Sequence, residues 1–190
     1  MKTGARAFKD QEIFREIMTA MSRPGQMCGA GVMGEDPLMD VLNVLLDHEV
    51  SFCVTGGNKQ ELEPRIIMET GSSPEDISKA DFIIAADGET GTELNKVKKG
   101  SPEYPDQGAT IIYYIACRDT GKKALKCGFS GPGVVPGSGR MDLLIPAGEL
   151  KKLAEINSGY PLGVDAVIVT EKAGLMCMPR SLKINFEGGK

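Results

Sequence analysis

Tyr160-Pro161-Leu162-Gly163-Val164-Asp165 runs directly into Ala166-Val-Ile-Val-Thr170, and Gly174-Leu-Met-Cys-Met-Pro-Arg-Ser181 follows after a short polar break. The stretch reads as the end of a helix, a tight turn and two adjacent strands. Pro161 fixes φ and cannot donate a hydrogen bond, while Gly163 allows a backbone conformation that a β-carbon would resist. Asp165 stands at the mouth of an apolar run rich in β-branched residues, the signature of a buried strand. A carboxylate there either closes a turn as an acceptor or serves a site. The general preference of Asp for turns favours the first reading.

Upstream, helical and extended patterns alternate. Asp10 can cap a helix over about 11–22, with Ile13, Phe14, Ile17, Met18 and Met21 expected to form one buried face and Pro24-Gly25 ending it. Asp36-Pro37 opens a second helix, with Leu38, Val41, Leu42, Leu45 and Leu46 as its apolar stripe. Val50 to Thr55 reads as a strand stopped by Gly56-Gly57-Asn58. Residues 58–64 read as loop or frayed helix and Arg65 to Glu69 as a short strand. Ser73-Pro74-Glu75-Asp76 is expected to cap a short helix, and Asp81 to Ala86 is a strand. Thr92 to Lys98 can make one or two helical turns. The turn-rich stretch Gly100 to Gly108 carries no hydrophobic pattern of its own, as functional or mobile loops often do not. Ala109 to Cys117 and Leu125 to Phe129 are strands, and residues 148–157 form the last helix. The runs 109–117 with 125–129, and 164–170 with 174–178, read as antiparallel hairpins. Interspersed helices and strands call for cover on both sheet faces. The predicted architecture is therefore α/β, a three-layer α/β/α sandwich with a mixed sheet, in a single domain over 1–190.

Composition narrows the function classes. Hydrophobic residues are 41% and charged residues 25%, and 22 Lys+Arg against 26 Asp+Glu leave a net charge of −4. That surface does not argue for nucleic acid, which calls for a basic patch. Lys96, Lys98 and Lys99 read as a solvated helix end. No apolar run reaches the roughly 18 residues of a spanning helix, and the first residues lack the hydrophobic centre of a secretory signal. The expected location is cytoplasmic, with no membrane partner. Cysteines 28, 53, 117, 127 and 177 are scattered, without a C-x-x-C pair, and His48 is the single histidine. No metal site is expected from that pattern, and the thiols are read as reduced and mostly buried.

Three further segments deepen the reading. Phe14-Arg-Glu-Ile-Met-Thr-Ala-Met-Ser-Arg23-Pro24-Gly25, Gly128-Phe-Ser-Gly131-Pro132-Gly133-Val134 and the C-terminal PLGVD with Pro179-Arg180 occur in that order. In order and spacing the chain resembles the PhnH family, from about residue 8 to residue 186. The resemblance implies a core like that of PLP-dependent transferases but without PLP, and no other cofactor. It implies a subunit of the bacterial carbon–phosphorus lyase core complex. That complex moves a phosphonate onto the ribose C1 of a nucleoside triphosphate with loss of the base. The implied partners are the other core subunits, a second copy of the chain as a homodimer in isolation, and a phosphonate or nucleotide ligand.

The candidate ligand-binding residues are Arg23, Gly131, Gly133, Arg140, Asp165 and Arg180. Glycine-rich turns can aim backbone N–H groups at an anion, and Pro136-Gly-Ser-Gly-Arg140 keeps the backbone open nearby. However, Gly128 to Gly133 lacks the ending of a phosphate loop and the spacing of a dinucleotide fold, and a sharp turn is the favoured reading. Arg23 and Arg180 flank prolines at element ends. The planar fork of arginine suits phosphate, although pairing with a carboxylate is the commoner fate. No residue pattern assembles a nucleophile and base, so the catalytic residues are unknown. Lys172 reads as too exposed for a Schiff base. Two readings follow: a complex subunit for assembly or ligand binding without independent catalysis, or a stand-alone small-molecule α/β enzyme handling phosphate or nucleotides near Gly131 and Asp165.

Overall fold

This computed structural model describes residues 4–29, 31–116, 125–135, 140–143 and 145–186. Cys117 and the segment Pro136 to Gly139 lie outside them. The chain runs α1 (Gly4–Ser22), β1 (Cys28–Gly29), α2 (Pro37–Leu45), β2 (Ser51–Thr55), α3 (Lys59–Thr70), β3 (Ser73–Pro74), β4 (Phe82–Ala85) and β5 (Thr110–Ile115). It continues with β6 (Leu125–Ser130), β7 (Arg140–Leu143), α4 (Ala147–Ile156), β8 (Asp165–Thr170), β9 (Gly174–Met178) and β10 (Lys183–Phe186).

Seven strands form one mixed sheet in the order β1-β9-β8-β5-β4-β2-β3. β3, β2, β4, β5 and β8 are parallel neighbours, and β9 returns antiparallel along β8 as the expected hairpin. Its turn is closed by Thr170, whose hydroxyl accepts from the Gly174 N–H at 2.8 Å. β10, β6 and β7 form a second, three-stranded sheet.

Both faces of the large sheet are buried. On one, Ile13 and Ile17 of α1, Leu38 and Leu42 of α2 and Ile66 of α3 pack with Phe52, Ile84, Ile112, Val167 and Val169. On the other, Leu150 and Leu153 of α4 join Phe129 of the small sheet against Ile83, Ile111, Ala166 and Ile168. That double burial explains why the central strands are almost unbroken apolar runs.

Several expectations require correction. The pair 109–117 and 125–129 is not a hairpin: β5 has parallel partners on both sides, β4 and β8, and β6 pairs instead with β10 and β7. A strand occupied on both edges has no ladder left to offer its sequence neighbour. Arg65 to Glu69 is not a strand: it belongs to α3, which starts after Asn58, takes the helical alternative of the preceding stretch and continues through Pro64. An interior proline removes one helical hydrogen bond and is normally a breaker. Here buried Ile66 anchors the helix to the core, Arg65 pairs with Glu69 one turn on at 2.8 Å, and Gly71 at φ 78 caps the end. Ser73-Pro74 does not start a helix; it is the short edge strand β3 beside Ser51 and Phe52. α1 begins well before Asp10, which lies within it and not at its cap, and Phe14 and Met18 are exposed instead of sharing its buried face, which is made by Ile13, Ile17 and Ala20. At α2 the expectation holds, because the Asp36 side chain accepts from the Met39 N–H at 3.1 Å with Pro37 in the first turn.

Candidate functional site

The stretch around PLGVD builds the amino end of the parallel strands. The Tyr160–Pro161 peptide is cis and Gly163 adopts φ 146. A β-carbon on Gly163 would lie 2.4 Å from Asn157 Oδ1, so no larger residue fits that approach. Asn157 then clamps the next residue from both sides: its Nδ2 donates to the Val164 carbonyl at 3.0 Å, and its Oδ1 accepts from the Val164 N–H at 2.9 Å. Asp165 opens β8 and faces Arg180, just beyond β9. The Arg180 backbone N–H donates to Oδ1 at 2.7 Å, and its guanidinium donates to Oδ2 at 2.6 Å through Nη2 and 3.2 Å through Nε. The remaining Nη1 donates to the Pro105 carbonyl, tying down the turn-rich loop. Asp165 is thus a turn-closing acceptor and Arg180 a carboxylate-paired arginine.

Three other candidates gather at the same end. Gly25, at φ 76, donates its N–H to the Cys177 carbonyl at 3.2 Å. Gly131 packs against the Ser181 carbonyl, and a β-carbon on Gly133 would lie 2.5 Å from the Ser22 carbonyl. The glycine-rich turn is therefore wedged between the end of α1 and the segment after Arg180. That wedge brings Arg23, Gly131, Gly133, Asp165 and Arg180 into one neighbourhood. Arg23 is exposed there. Arg140 opens β7 opposite Gly128, and its side chain lies outside the described residues.

A cleft of about 750 Å³ lies at the opposite, carboxyl end of the parallel strands. Its walls include Gly57 and Asn58 after β2, Ala86 and Asp87 after β4, Ile115 and Ala116 at the end of β5, and Glu171 after β8. Gly57 donates its N–H to Asp87 Oδ2 at 2.8 Å. Sequence reasoning read Gly56-Gly57-Asn58 only as a strand stop. The available signal was a Gly-Gly turn between a strand and a helix, hidden because Pro64 masked that helix.

One family model covers nearly the whole of this chain. It is described as "Bacterial phosphonate metabolism protein (PhnH)" and matches residues 4–185. The chain belongs to the PhnH family. A similar protein of Stutzerimonas stutzeri, "Putative C-P lyase subunit protein HtxG", is 30% identical over 180 residues, which is 95% of this chain and 88% of the relative.

In this PhnH chain one more polar cluster lies inside the core. Glu149, in the first turn of α4, is 5% exposed. Its Oε1 accepts from the Thr90 N–H at 3.0 Å, the Thr90 hydroxyl at 2.7 Å and the Tyr113 hydroxyl at 3.0 Å. Burial, and then the Glu149 charge, push the Tyr113 phenol well above its ordinary value. Three of the thiols are shifted away from activation as well. Burial raises Cys28 and Cys53, and it pushes Cys177 up to about 12 with help from Cys28 and Asp165. A nucleophilic cysteine needs the opposite shift. Among the described residues no group of three or more His, Cys, Asp or Glu is arranged to hold a metal ion. No described helix is long and apolar enough to cross a membrane.

Proposed function

We propose that this chain is a subunit of a carbon–phosphorus lyase core complex in phosphonate utilisation, with an assembly or ligand-binding role and no independent catalysis. The observation that carries the reading is the coverage of the relationship. The family matches residues 4–185, and the relative whose name reads C-P lyase subunit spans 95% of the chain. The raised Cys28, Cys53 and Cys177 are poor nucleophiles in the folded chain. In this reading the complex transfers a phosphonate onto the ribose C1 of a nucleoside triphosphate. Arg23, Gly131, Gly133 and Arg140 remain the candidate contacts to an anionic ligand or a neighbouring subunit, and Asp165 and Arg180, bonded to each other, are proposed to shape that end for them. The proposed core is a three-layer sandwich resembling PLP-dependent transferases without PLP, in a cytoplasmic protein.

Exposed apolar side chains support a partner surface. Phe8, Phe14 and Met18 of α1 are 62%, 49% and 55% exposed, a face that water tolerates poorly when it is contiguous. In isolation a second copy covers such a surface by two-fold pairing; in the assembly another subunit takes its place. Co-purification with the other core subunits from the same cell tests the reading. Stable association is the expected result, while absence of association under native conditions, or turnover of phosphonates and nucleotides by the isolated chain, overturns it. Sedimentation tests the homodimer, which a monomer at high concentration refutes.

A further inference from the structure

Between β4 and the short helical turn Glu93–Lys96 the chain crosses the carboxyl end of the sheet. Its middle is not built like an ordinary surface loop. Gly88 and Gly91 stand at φ 76 and φ 68, in the left-handed region that glycine enters without strain. Between these two soft points Thr90 is 4% exposed. Connecting segments normally leave their polar groups in water; this one turns a polar side chain into the core.

One oxygen holds it there. The Thr90 N–H and hydroxyl donate to Glu149 Oε1 at 3.0 and 2.7 Å, and the Tyr113 hydroxyl donates to the same atom at 3.0 Å. Bonds to a charged acceptor are stronger than neutral ones, so Thr90 is where the segment is fastened. The fastening is also reversible. If the segment lifts, water reaches the carboxylate and replaces the two lost bonds, and no buried charge is stranded.

The two ends of the segment differ. A β-carbon on Gly88 would lie 2.8 Å from Ile115 Cδ1, whereas one on Gly91 would meet nothing within 4 Å. Gly88 is thus seated on Ile115 while Gly91 stands free. Ile115 belongs to the core on the α4 side of the sheet and also lines the cleft at the carboxyl ends of the strands. The segment therefore covers the wall that separates the cleft from that core.

We propose that residues 88–91 form a strap over the cleft wall, hinged at its two glycines and fastened by Thr90 to Glu149, whose release uncovers Ile115. The strap does not depend on the complex-subunit reading and is tested on the full chain alone, by amide exchange and methyl NMR. In the wild type, exchange of the Thr90 and Glu93 amides should be insensitive to low urea, the mark of a local opening. Exchange at Ile112, in the centre of the sheet, should rise with urea. Thr90→Val keeps the shape and removes one of the two bonds. It should speed exchange at positions 90 and 93 about tenfold, and Ile112 less. The Ile115 δ-methyl should then show microsecond-to-millisecond relaxation dispersion, while Ile84 on the other face stays quiet. Tyr113→Phe leaves both Thr90 bonds in place, so its exchange at position 90 should only follow that at Ile112. Urea-dependent exchange at Thr90 parallel to Ile112 in the wild type would overturn the proposal. So would equal acceleration at positions 90 and 112 in Thr90→Val, an Ile115 methyl without dispersion in that variant, or the same local opening in Tyr113→Phe.

Discussion

Asp165 and Arg180, fifteen residues apart in the chain, close the β8–β9 hairpin at its open end through one backbone and several side-chain hydrogen bonds, the shortest at 2.6 Å. Their side chains are 23% and 14% exposed, so the pair is partly shielded from water without being cut off from it. A paired, hydrogen-bonded charge in that setting matters more than a surface ion pair, and removing one partner strands the other. Asp165→Asn is therefore expected to destabilise the chain by about 1–3 kcal/mol. Arg180→Lys should recover little of that bonding, because an ammonium cannot replace the fork. Urea unfolding of both variants checks this; an Asp165→Asn midpoint equal to wild type would show that the pair is incidental.

Asn157 carries a second, independent load at the same turn. Val164 is fully buried, and Asn157 satisfies both of its backbone groups at 2.9 and 3.0 Å. Truncation in Asn157→Ala leaves a donor and an acceptor unpaired, at an expected cost of about 2–4 kcal/mol. Asn157→Asp keeps only the acceptor and should fall between the two in thermal unfolding. If the alanine variant melts with wild type, water has taken over the clamp.

Gly25 tests the turn after α1. Its φ of 76 is left-handed, and a β-carbon there would stand 2.6 Å from the Phe129 ring. Gly25→Val combines backbone strain with a clash and should cost about 1–3 kcal/mol. Arg23→Ala, two residues earlier and exposed, should leave the melting temperature nearly unchanged while weakening an anion or subunit contact. Unfolding of Arg23→Ala would remove that residue from the candidate contacts.

The pH dependence of stability should carry the mark of Tyr113. Its phenol is fully buried against Glu149, and its pKa is raised well above the ordinary 10.0. Below that value both the folded and the unfolded chain keep the proton, so the contribution is intact. Above it the unfolded chain releases a proton that the folded chain retains, and stability falls as pH rises. Tyr113→Phe should flatten that alkaline fall, at the cost of about 1–3 kcal/mol near neutrality from the hydrogen bond lost to Glu149. Denaturation midpoints through the alkaline range decide it; a wild-type slope in the variant would assign the fall elsewhere.

Cys177 should resist thiol reagents in the native state. It is fully buried on β9 and its pKa is pushed up to about 12, leaving almost no thiolate at neutral pH. Mass spectrometry after timed alkylation is expected to find Cys177 unmodified until urea unfolds the chain. Rapid native labelling at that position would mean that α1 opens away from β9.

Local chemistry was enough for much of the fold. Asp36-Pro37 announced α2 because a cap and an N1 proline act within one turn. The runs 164–170 and 174–178 announced β8 and β9 because β-branched residues between turn formers leave few other conformations. Pro24-Gly25 marked the end of α1 for the same reason. Candidate residues 23, 131, 133, 165 and 180 were also drawn from one neighbourhood, although only the folded chain shows that Asp165 and Arg180 satisfy each other.

The rest depended on contacts between residues far apart in sequence. Pro64 reads as a breaker, yet α3 persists because Ile66 is buried against the sheet, a stabilisation that no local pattern reports. The neighbours of β5 were decided by burial on both its faces, which places β4 and β8 beside it and sends β6 to a different sheet. The cleft exists only because β2, β4, β5 and β8 end together, bringing Gly57, Asp87, Ile115 and Glu171 from four separate segments to one rim. Turns and caps are short-range and can be read from the chain; strand order and cavities are set by which apolar faces meet, and that is settled only when the whole core closes.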